Sequence, residues 1–293
     1  MSPEQRYLDL LRKSVANDLY PDNEARLLYV FTMLHGGLPI DQEVVRRINT
    51  TLPHLMEKIR DARENGKPWW NVNIIEKDGT NKIVNMRNVV EFSHSMAGRK
   101  RLLNIEECLD RIRQEGIPGD LIEAGVWRGG ATILMRGYLA VYEMEDRCVW
   151  VADSFQGLPL PTHPADHGHD LSPAIAPILS VSLEEVRGIF RRYGLLDDRV
   201  CFLEGWFKDT LASAPIDRLA LLRLDGDLYE STMDGLTALY DKVVPGGFII
   251  VDDYGDFIPC RRAIDEFRAL RGIEEPVVKI DWSAVFWRKV NTR

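Results

Sequence analysis

The sequence predicts an α/β fold, with a mainly parallel sheet and helices on both of its faces. From residue 120 onward, short aliphatic runs alternate with segments of helical periodicity, the order expected of a parallel sheet. The runs are almost continuously apolar, as in strands that are buried on both faces. At 293 residues the chain is long enough to bury a large core.

The composition is that of an ordinary globular protein, with 45% hydrophobic and 28% charged residues. A net charge of −8 argues against a nucleic-acid partner, because duplex binding needs a basic face. No apolar stretch approaches the roughly 20 residues that span a bilayer, and the N-terminus lacks the apolar segment of a signal peptide. The four cysteines have no CxxC spacing, so we expect a reduced, cytoplasmic environment and no membrane partner.

The N-terminal part of the chain predicts helices and a hairpin. A helix over residues 5–18 places its apolar side chains, Tyr7 to Val15, near one face. A second apolar stripe, over 41–65, is interrupted near Pro53. Between 66 and 90 an Asp-Gly turn signal separates short β-like runs, which is typical of a β-hairpin.

From residue 98 the predicted elements follow one another regularly. Helices are predicted over 98–116, 131–145, 182–194, 232–243 and 260–272. Strands are predicted over 120–126, 148–155, 199–207, 219–227 and 246–254, with a closing antiparallel pair at 276–281 and 283–289. The helix that follows Ser182 has Glu185 three residues later, which is a capping box.

Acids or glycines occupy the end of every predicted parallel strand. They are Glu123 with Gly125, Asp153 with Ser154, Gly205 with Trp206, Asp225 with Asp227, and Asp252 with Asp253. In open parallel sheets, ligands bind beyond the carboxyl ends of the strands. We therefore expect the binding site at this edge.

The turn EAGVWRGGAT (123–132) predicts a close approach between backbone and ligand. It does not have the GxGxxG pattern, and Glu123 stands where it would repel a pyrophosphate and suit a cationic ligand. Asp153, which ends the second strand, can accept hydrogen bonds from ribose hydroxyls. These features favour S-adenosylmethionine over NAD. The alternative is a tight turn that needs glycine for its own geometry.

Asp225, Asp252 and Asp253 end neighbouring strands and could present three carboxylates to one point. Unpaired carboxylates would raise one another's pKa, whereas a hard divalent cation such as Mg²⁺ or Ca²⁺ would bind them. The alternative is that they cap the helices that follow. Capping accounts for one acid of each pair and hardly for both.

The proline-rich stretch PLPTHPADHGHD (159–170) precedes a predicted helix and contains three histidines. We interpret it as part of a lid over the acceptor, at about 156–181, rather than as a metal site.

Five ordered motifs resemble the macrocin O-methyltransferase family: GDLIEAGVWRGGATI, WVADSFQGLP, GWFKDTL, LRLDGDLYEST and GGFIIVDDY. The resemblance implies a Rossmann-like class I methyltransferase fold over residues 92–293. It also implies that residues 1–91 form a helical region with an inserted segment, which would supply a cap and contacts in a homo-oligomer. The segment from 23 to 90 is longer than we expect for the family.

The resemblance implies a role for each matching residue. Glu123, Gly125 and Arg128 would line the methionine end of S-adenosylmethionine, and Ser95 and Met96 would close over it. Asp153 and Ser154 would hold the ribose, and Gly205 and Trp206 would border the adenine. Asp225, Asp252 and Asp253 would ligate Mg²⁺, with Asp225 also near the cofactor. Asp227 would be the general base, or a residue behind the metal ligands.

Together these features predict an enzyme that methylates a sugar hydroxyl of a glycosylated natural product. Two alternatives stay open. The acceptor could be a catechol-like phenol, whose vicinal oxygens also chelate a metal. The protein could instead bind the cofactor without catalysis, although its full set of aspartates argues against that.

Overall fold

The computed structural model describes residues 1–65, 70–75, 81–86 and 93–290. The chain divides into two compact units. The smaller runs from Asp9 to Lys100, and the larger combines Met1–Leu8 with the chain from Arg101 onward. Within the described residues, no helix is both long and apolar enough to cross a membrane. All four cysteines are free thiols.

The N-terminal elements are mostly helical. They are α1 (Pro3–Val15), α2 (Pro21–His35), α3 (Gln42–Arg46), α4 (Ile48–Thr51), α5 (Pro53–Asn65), β1 (Trp70–Ile75), β2 (Asn81–Met86) and α6 (Gly98–Gln114). The predicted helix restart at Pro53 and the hairpin are confirmed, since β1 pairs antiparallel with β2. The turn between these two strands lies outside the described residues. Helix α2 was not predicted.

The larger unit alternates strands and helices as predicted. Its elements are β3 (Asp120–Ala124), α7 (Gly130–Val141), β4 (Val149–Asp153), α8 (Leu183–Tyr193), β5 (Val200–Glu204), α9 (Phe207–Thr210), β6 (Leu219–Leu224), α10 (Tyr229–Leu239), β7 (Val243–Val251), α11 (Ile258–Arg271), β8 (Val278–Lys279) and β9 (Val285–Arg288). Short 3₁₀ turns occur at Pro164–Asp166, Pro177–Leu179 and Tyr240–Lys242.

The seven-stranded sheet has the order β5-β4-β3-β6-β7-β9-β8. Strands β3 to β7 are parallel, whereas β9 runs antiparallel to both β7 and β8. This confirms the mainly parallel sheet with its closing antiparallel pair. The chain moves outward from β3 to β5 and then returns to β6, so the strand order reverses between β3 and β6. Such a switch point opens a crevice at the carboxyl edge.

Helices cover both faces because right-handed crossovers place α7 and α10 on opposite sides of a sheet that reverses direction. On one face, Ile122, Leu222 and Ile249 pack with Leu236 of α10 and Ile264 of α11. Side chains alternate along a strand, so the residues next to these, including Glu123 and Arg223, point to the other face.

Several boundaries differ from the prediction, and three of them bear on the site. Strand β5 ends at Glu204, because Gly205 has a φ of +140° and the chain turns there into α9. Strand β7 begins at Val243, with a shift in its register to β6 that absorbs the Pro-Gly-Gly segment. Helix α10 begins at Tyr229 rather than at residue 232, because the Asp166 carboxylate accepts from the amides of Tyr229 and Glu230.

Candidate active site

The residues predicted at the strand ends meet at the carboxyl edge of the sheet. Strand β3 ends just before Gly125, β4 ends at Asp153, and β5 ends just before Gly205. Strand β6 leads into Asp225, and β7 leads into Asp252. The switch point lies between β3 and β6, so Gly125 and Asp225 flank the crevice.

The turn after β3 brings its backbone close to the next strand. Gly125 has a φ of +91°, and a Cβ there would overlap the backbone carbonyl of Asp225, so only glycine fits. Trp127 and Gly129 also have positive φ, of 49° and 79°, and α7 begins directly after Gly129. This geometry suits a ligand that approaches the backbone closely.

Asp153 is bound by the backbone of this turn. One of its oxygens accepts hydrogen bonds from Val126 N at 2.8 Å and Trp127 N at 3.4 Å, and the other accepts from Phe155 N at 2.8 Å. Desolvation raises the pKa of Asp153 above its ordinary value, and the amide hydrogen bonds oppose this rise. The carboxylate therefore orders the turn, a role that was not predicted. Its contact with ribose stays a prediction.

Arg128 and Ser154 lie on the turns beside Asp153. The Arg128 guanidinium stacks on the Trp127 ring at 4.3 Å, and its Nε lies 4.0 Å from a Glu185 oxygen. The Ser154 hydroxyl donates to the Gly157 carbonyl oxygen at 2.7 Å and so shapes the turn after β4. Their contacts with the cofactor stay predictions.

Gly205 and Trp206 form the turn after β5. Gly205 N donates to the Asp153 carbonyl oxygen at 2.9 Å. A Cβ on Gly205 would lie 2.7 Å from the Thr210 methyl group, so this close turn also needs glycine. Trp206 precedes α9, and its carbonyl accepts from the Thr210 hydroxyl at 3.0 Å. The turn is placed at the edge where the adenine contact is predicted.

Ser95 and Met96 belong to the smaller unit. Ser95 is buried, its amide donates to the Val15 carbonyl oxygen at 3.1 Å, and its hydroxyl accepts from Ala97 N at 3.2 Å. Met96 is half-buried. Their predicted closure over the cofactor stays a prediction.

Asp225, Asp252 and Asp253 come together as predicted. Each offers a carboxylate oxygen, and the three oxygens lie within 4.8 Å of one another. Asp252 and Asp253 are buried, whereas the Asp225 side chain is 30% exposed. Asp227 adjoins this cluster, because its amide donates to an Asp253 oxygen at 3.2 Å.

Two buried arginines pair with the cluster, and neither was predicted to. The Arg223 guanidinium donates to Asp252, to Glu123, and to Asp225 at 2.7 Å. Arg101 donates to the other oxygen of Asp252. Glu123 is 2% exposed and pairs with Arg223. Its contact with the cofactor stays a prediction.

Asp281 holds the guanidinium group of Arg101 in place. The Arg101 Nε donates to Asp281 at 2.8 Å, and the second oxygen of Asp281 accepts from Ser283 N at 2.9 Å and Ala284 N at 2.8 Å. The Ser283 hydroxyl also donates to the Asp252 carbonyl oxygen at 2.8 Å. The loop before β9 therefore holds both the side-chain partner and the backbone of Asp252.

The crowding of acids changes their protonation. Desolvation, followed by the charges of neighbouring aspartates, raises the pKa of Asp253 far above its ordinary value. The same two causes raise the pKa of Asp225, although Arg223 opposes them. Burial raises the pKa of Glu123 to about 8, again against the effect of Arg223. The acids outnumber the guanidinium groups, so the site favours an added cation.

The donor set fits a hard divalent cation. The three aspartates supply only oxygen atoms. Mg²⁺ and Ca²⁺ prefer oxygen ligands, whereas protein sites for Zn²⁺ usually include nitrogen or sulfur ligands. Their mutual distances allow all three to reach one ion. Because guanidinium groups occupy both oxygens of Asp252, an ion would share this residue with Arg101 or Arg223.

The signal for Arg223 was present in the sequence. A charged residue inside the apolar run LALLRL is rarely buried without a partner, so it predicts buried acids beside that strand. Arg101 gave no such signal, since it lies in the basic segment GRKR and is 151 positions from Asp252.

The strand order, the glycine turn at the switch point and the acids at the carboxyl edge define a class I methyltransferase fold. The sequence of the family described as "Macrocin-O-methyltransferase (TylF)" matches residues 4–289 of this chain. The chain therefore belongs to the macrocin O-methyltransferase family. It is therefore an O-methyltransferase of the class that uses S-adenosylmethionine.

Curated relatives are similar along most of the chain. Mycinamicin III 3''-O-methyltransferase of Micromonospora griseorubida is 42% identical over 99% of both chains. The tetracenomycin-C 4'-O-methyltransferase of Streptomyces olivaceus is 50% identical over 96% of this chain and 92% of its own. Demethyldecarbamoylnovobiocin O-methyltransferase of Streptomyces niveus is 53% identical over 67% of this chain and 76% of its own.

Solved structures agree with this assignment. The O-methyltransferase NovP is 41% identical, with a TM-score of 0.76 over 98% of this chain and 100% of its own. A calicheamicin methyltransferase, at 19% identity and a TM-score of 0.53 over 66% of this chain and 81% of its own, shares the fold. The length of the segment 23–90 relative to the family stays a prediction.

Proposed function

We propose that this enzyme transfers a methyl group from S-adenosylmethionine to a sugar hydroxyl of a glycosylated natural product, with Mg²⁺ bound by Asp225, Asp252 and Asp253. The observation that carries the proposal is the cluster of three carboxylates at the switch-point edge. The names of the mycinamicin and tetracenomycin relatives, a 3''- and a 4'-O-methyltransferase, support an acceptor that carries a sugar.

The cofactor would lie across the glycine turn. S-adenosylmethionine supplies an electrophilic methyl group on a sulfonium, which loses its charge during transfer. The turn at Gly125 gives the ligand close access to the backbone, and Asp153 holds that turn in place. The protein's contribution is mainly to align the acceptor oxygen with the methyl group.

The acceptor would lie at the aspartate cluster. A sugar hydroxyl is a poor nucleophile at neutral pH, because its pKa is far above that of any carboxylate. Bound Mg²⁺ supplies Lewis-acid chemistry that favours loss of the hydroxyl proton. Asp227 lies two residues after Asp225 and would accept that proton. Arg223 and Arg101 hold Asp252 in position for this chemistry.

The proposal predicts that catalysis needs the divalent cation. EDTA treatment should abolish methyl transfer and added Mg²⁺ should restore it, because all the proposed ligands are carboxylates. Asp252→Asn should weaken Mg²⁺ binding in calorimetry and abolish turnover while the far-ultraviolet circular dichroism is unchanged. Full activity of metal-free enzyme would refute the metal assignment.

The acceptor class needs its own experiment. A panel of glycosylated macrolides and aminocoumarins, together with catechols, should be assayed for production of S-adenosylhomocysteine. We expect turnover with the glycosides. Turnover with catechols alone would replace the sugar by a vicinal phenol and leave the metal assignment standing.

A further inference from the structure

Asp166 is fully buried, although it lies in the lid segment 156–181, where most residues are at least partly exposed. A buried carboxylate is costly unless polar groups bind it. Its two oxygens accept from Tyr229 N at 2.6 Å and Glu230 N at 3.2 Å. These donors are the first two amides of α10, so Asp166 caps a helix that begins 63 positions later.

Helix α10 depends on this cap. Its own N-cap residue, Leu228, has no side chain that could accept a hydrogen bond, and the positive end of the helix favours a carboxylate. The cap also explains why α10 begins three residues before its predicted start: Asp166 satisfies amides that would otherwise be exposed at the frayed end.

The same helix end carries the catalytic loop, Asp225 to Leu228. Asp227 has a φ of +56°, a strained conformation for a residue other than glycine, and its amide donates to Asp253 at 3.2 Å. Tyr229 follows two residues later and is held by Asp166. The loop is therefore held at Asp227 by Asp253, and the residue that directly follows the loop, Tyr229, is held by the lid segment.

Further contacts join the lid segment to the first turn of α10. The Thr162 hydroxyl donates to Glu230 at 2.7 Å, and the His163 ring stacks on the Tyr229 ring at 4.3 Å. The segment is closed at its base, where the Ser180 hydroxyl donates to the Gln156 carbonyl oxygen at 2.9 Å. The lid segment therefore contacts Tyr229 and Glu230, the two residues that directly follow the loop of Asp227.

We propose that Asp166 is a positioning residue for methyl transfer: by capping α10 it holds Asp227 in the conformation from which it acts on the acceptor. This inference rests on the proposed function for its catalytic consequence. Its structural consequence is independent of the acceptor, because losing the cap should free the whole catalytic loop and not only the two capped amides.

The test compares three variants. Asp166→Ala removes both acceptors, and Asp166→Asn keeps one oxygen that can accept from Tyr229 N. Asp120→Ala is the matched control, because the Asp120 carboxylate also accepts from two N–H groups, Cys148 N and Trp150 Nε1, both at 2.8 Å. Asp120 begins β3 and so lies at the opposite edge of the sheet from the site.

We expect Asp166→Ala to lower kcat by roughly tenfold or more, since small misplacements of reacting groups have effects up to about 10²-fold. Binding of S-adenosylmethionine and of Mg²⁺, measured by calorimetry, should stay within about twofold. Asp166→Asn should recover most of the kcat loss, and Asp120→Ala should keep the kcat of the parent enzyme. Wild-type kcat in Asp166→Ala, or a loss of equal size in Asp120→Ala, would overturn the proposal.

Amide hydrogen exchange provides the second readout. In Asp166→Ala, exchange should speed up at Tyr229 and Glu230 and also at Gly226 to Leu228. Faster exchange confined to Tyr229 and Glu230 would show a cap without a positioning role and would overturn the proposal. If the parent enzyme methylates no glycoside, the proposed function fails, whereas the exchange measurement still decides the inference about Asp166.

Discussion

Asp153 ends one buried strand and Asp225 directly follows another, yet the two carboxylates are bound by different kinds of group. Backbone amides that lie within 27 positions of Asp153 bind its carboxylate. Asp225 instead accepts from the guanidinium group of Arg223, and the same group reaches Glu123 across 100 positions. The first acid completes a local turn, and the second belongs to a network with an excess of negative charge.

The difference indicates which acids are available for chemistry. Asp153 accepts hydrogen bonds from donors that are fixed in the backbone, and these offset part of the cost of its burial without any ligand. Around Asp253, burial and the neighbouring aspartates raise the pKa, and Arg101 opposes this rise. A site that lacks positive charge is suited to bind a cation. Variants of each region can test this comparison.

The largest effect is expected from Asp227→Asn. If Asp227 is the base, turnover should fall by about 10²–10⁴-fold, the range typical of a lost general base, while Mg²⁺ affinity changes only a few-fold. Asp225→Asn is the matched variant from the same loop, and it should reduce both quantities. Titration of Mg²⁺ against the two proteins measures the difference. A large loss of Mg²⁺ affinity in Asp227→Asn would make that residue a ligand.

Removal of Arg223 should have the next largest effect, on folding. Arg223→Met would remove the only ion-pair partner described for buried Glu123 and one of the two partners of Asp252, and breaking such a buried network costs about 3–5 kcal/mol. Urea denaturation followed by circular dichroism would measure the free energy of unfolding.

The control for this prediction is a second substitution. Glu123→Gln in the Arg223→Met background should recover part of the lost stability, because Glu123 is deeply buried and Arg223 is its ion-pair partner. If the double variant is as unstable as Arg223→Met, the loss comes from packing and the acids are balanced in another way.

Asp153→Ala should have the smallest effect. We expect the dissociation constant of S-adenosylmethionine to rise about tenfold, as one or two hydrogen bonds to a charged group, at about 1.5–3 kcal/mol each, are lost. Calorimetry on Asp153→Ala and Asp153→Asn measures it, with thermal denaturation to follow the glycine turn. A less stable Asp153→Ala protein with unchanged affinity would leave Asp153 only its role in the turn.

Elements with local signals were predicted well. The Ser182 cap of α8 accepts from Glu185 N at 3.2 Å, as the capping box predicted, and the helix ends at Gly194 in a left-handed conformation. Helix α2 was missed because its apolar residues do not share one face: Leu28 is fully buried, whereas Phe31 and Leu34 are exposed. The start of α10 was placed too late because its cap comes from another part of the chain.

Part of the candidate site was also predicted from the sequence, and part was not. Asp225, Asp252 and Asp253 were predicted as a cluster because parallel strands end at one edge, and the structure brings them within 4.8 Å. The pairing of Arg101 with Asp252 could not be predicted, because no local pattern connects these two residues. The resemblance to a known family identified the chemistry, and it gave no information about Arg223 as the counter-ion of Glu123.

By itself the sequence determined the succession of strands and helices along the chain from residue 98, the glycine turn and the acids at the strand ends. These follow from apolar periodicity and backbone conformation, which depend on residues close together in the chain. Only the tertiary structure decided how the buried charges are balanced and which residue caps α10. A buried charge must find a partner to offset its desolvation, but packing alone determines which distant side chain, Arg223, Arg101 or Asp166, lies within reach.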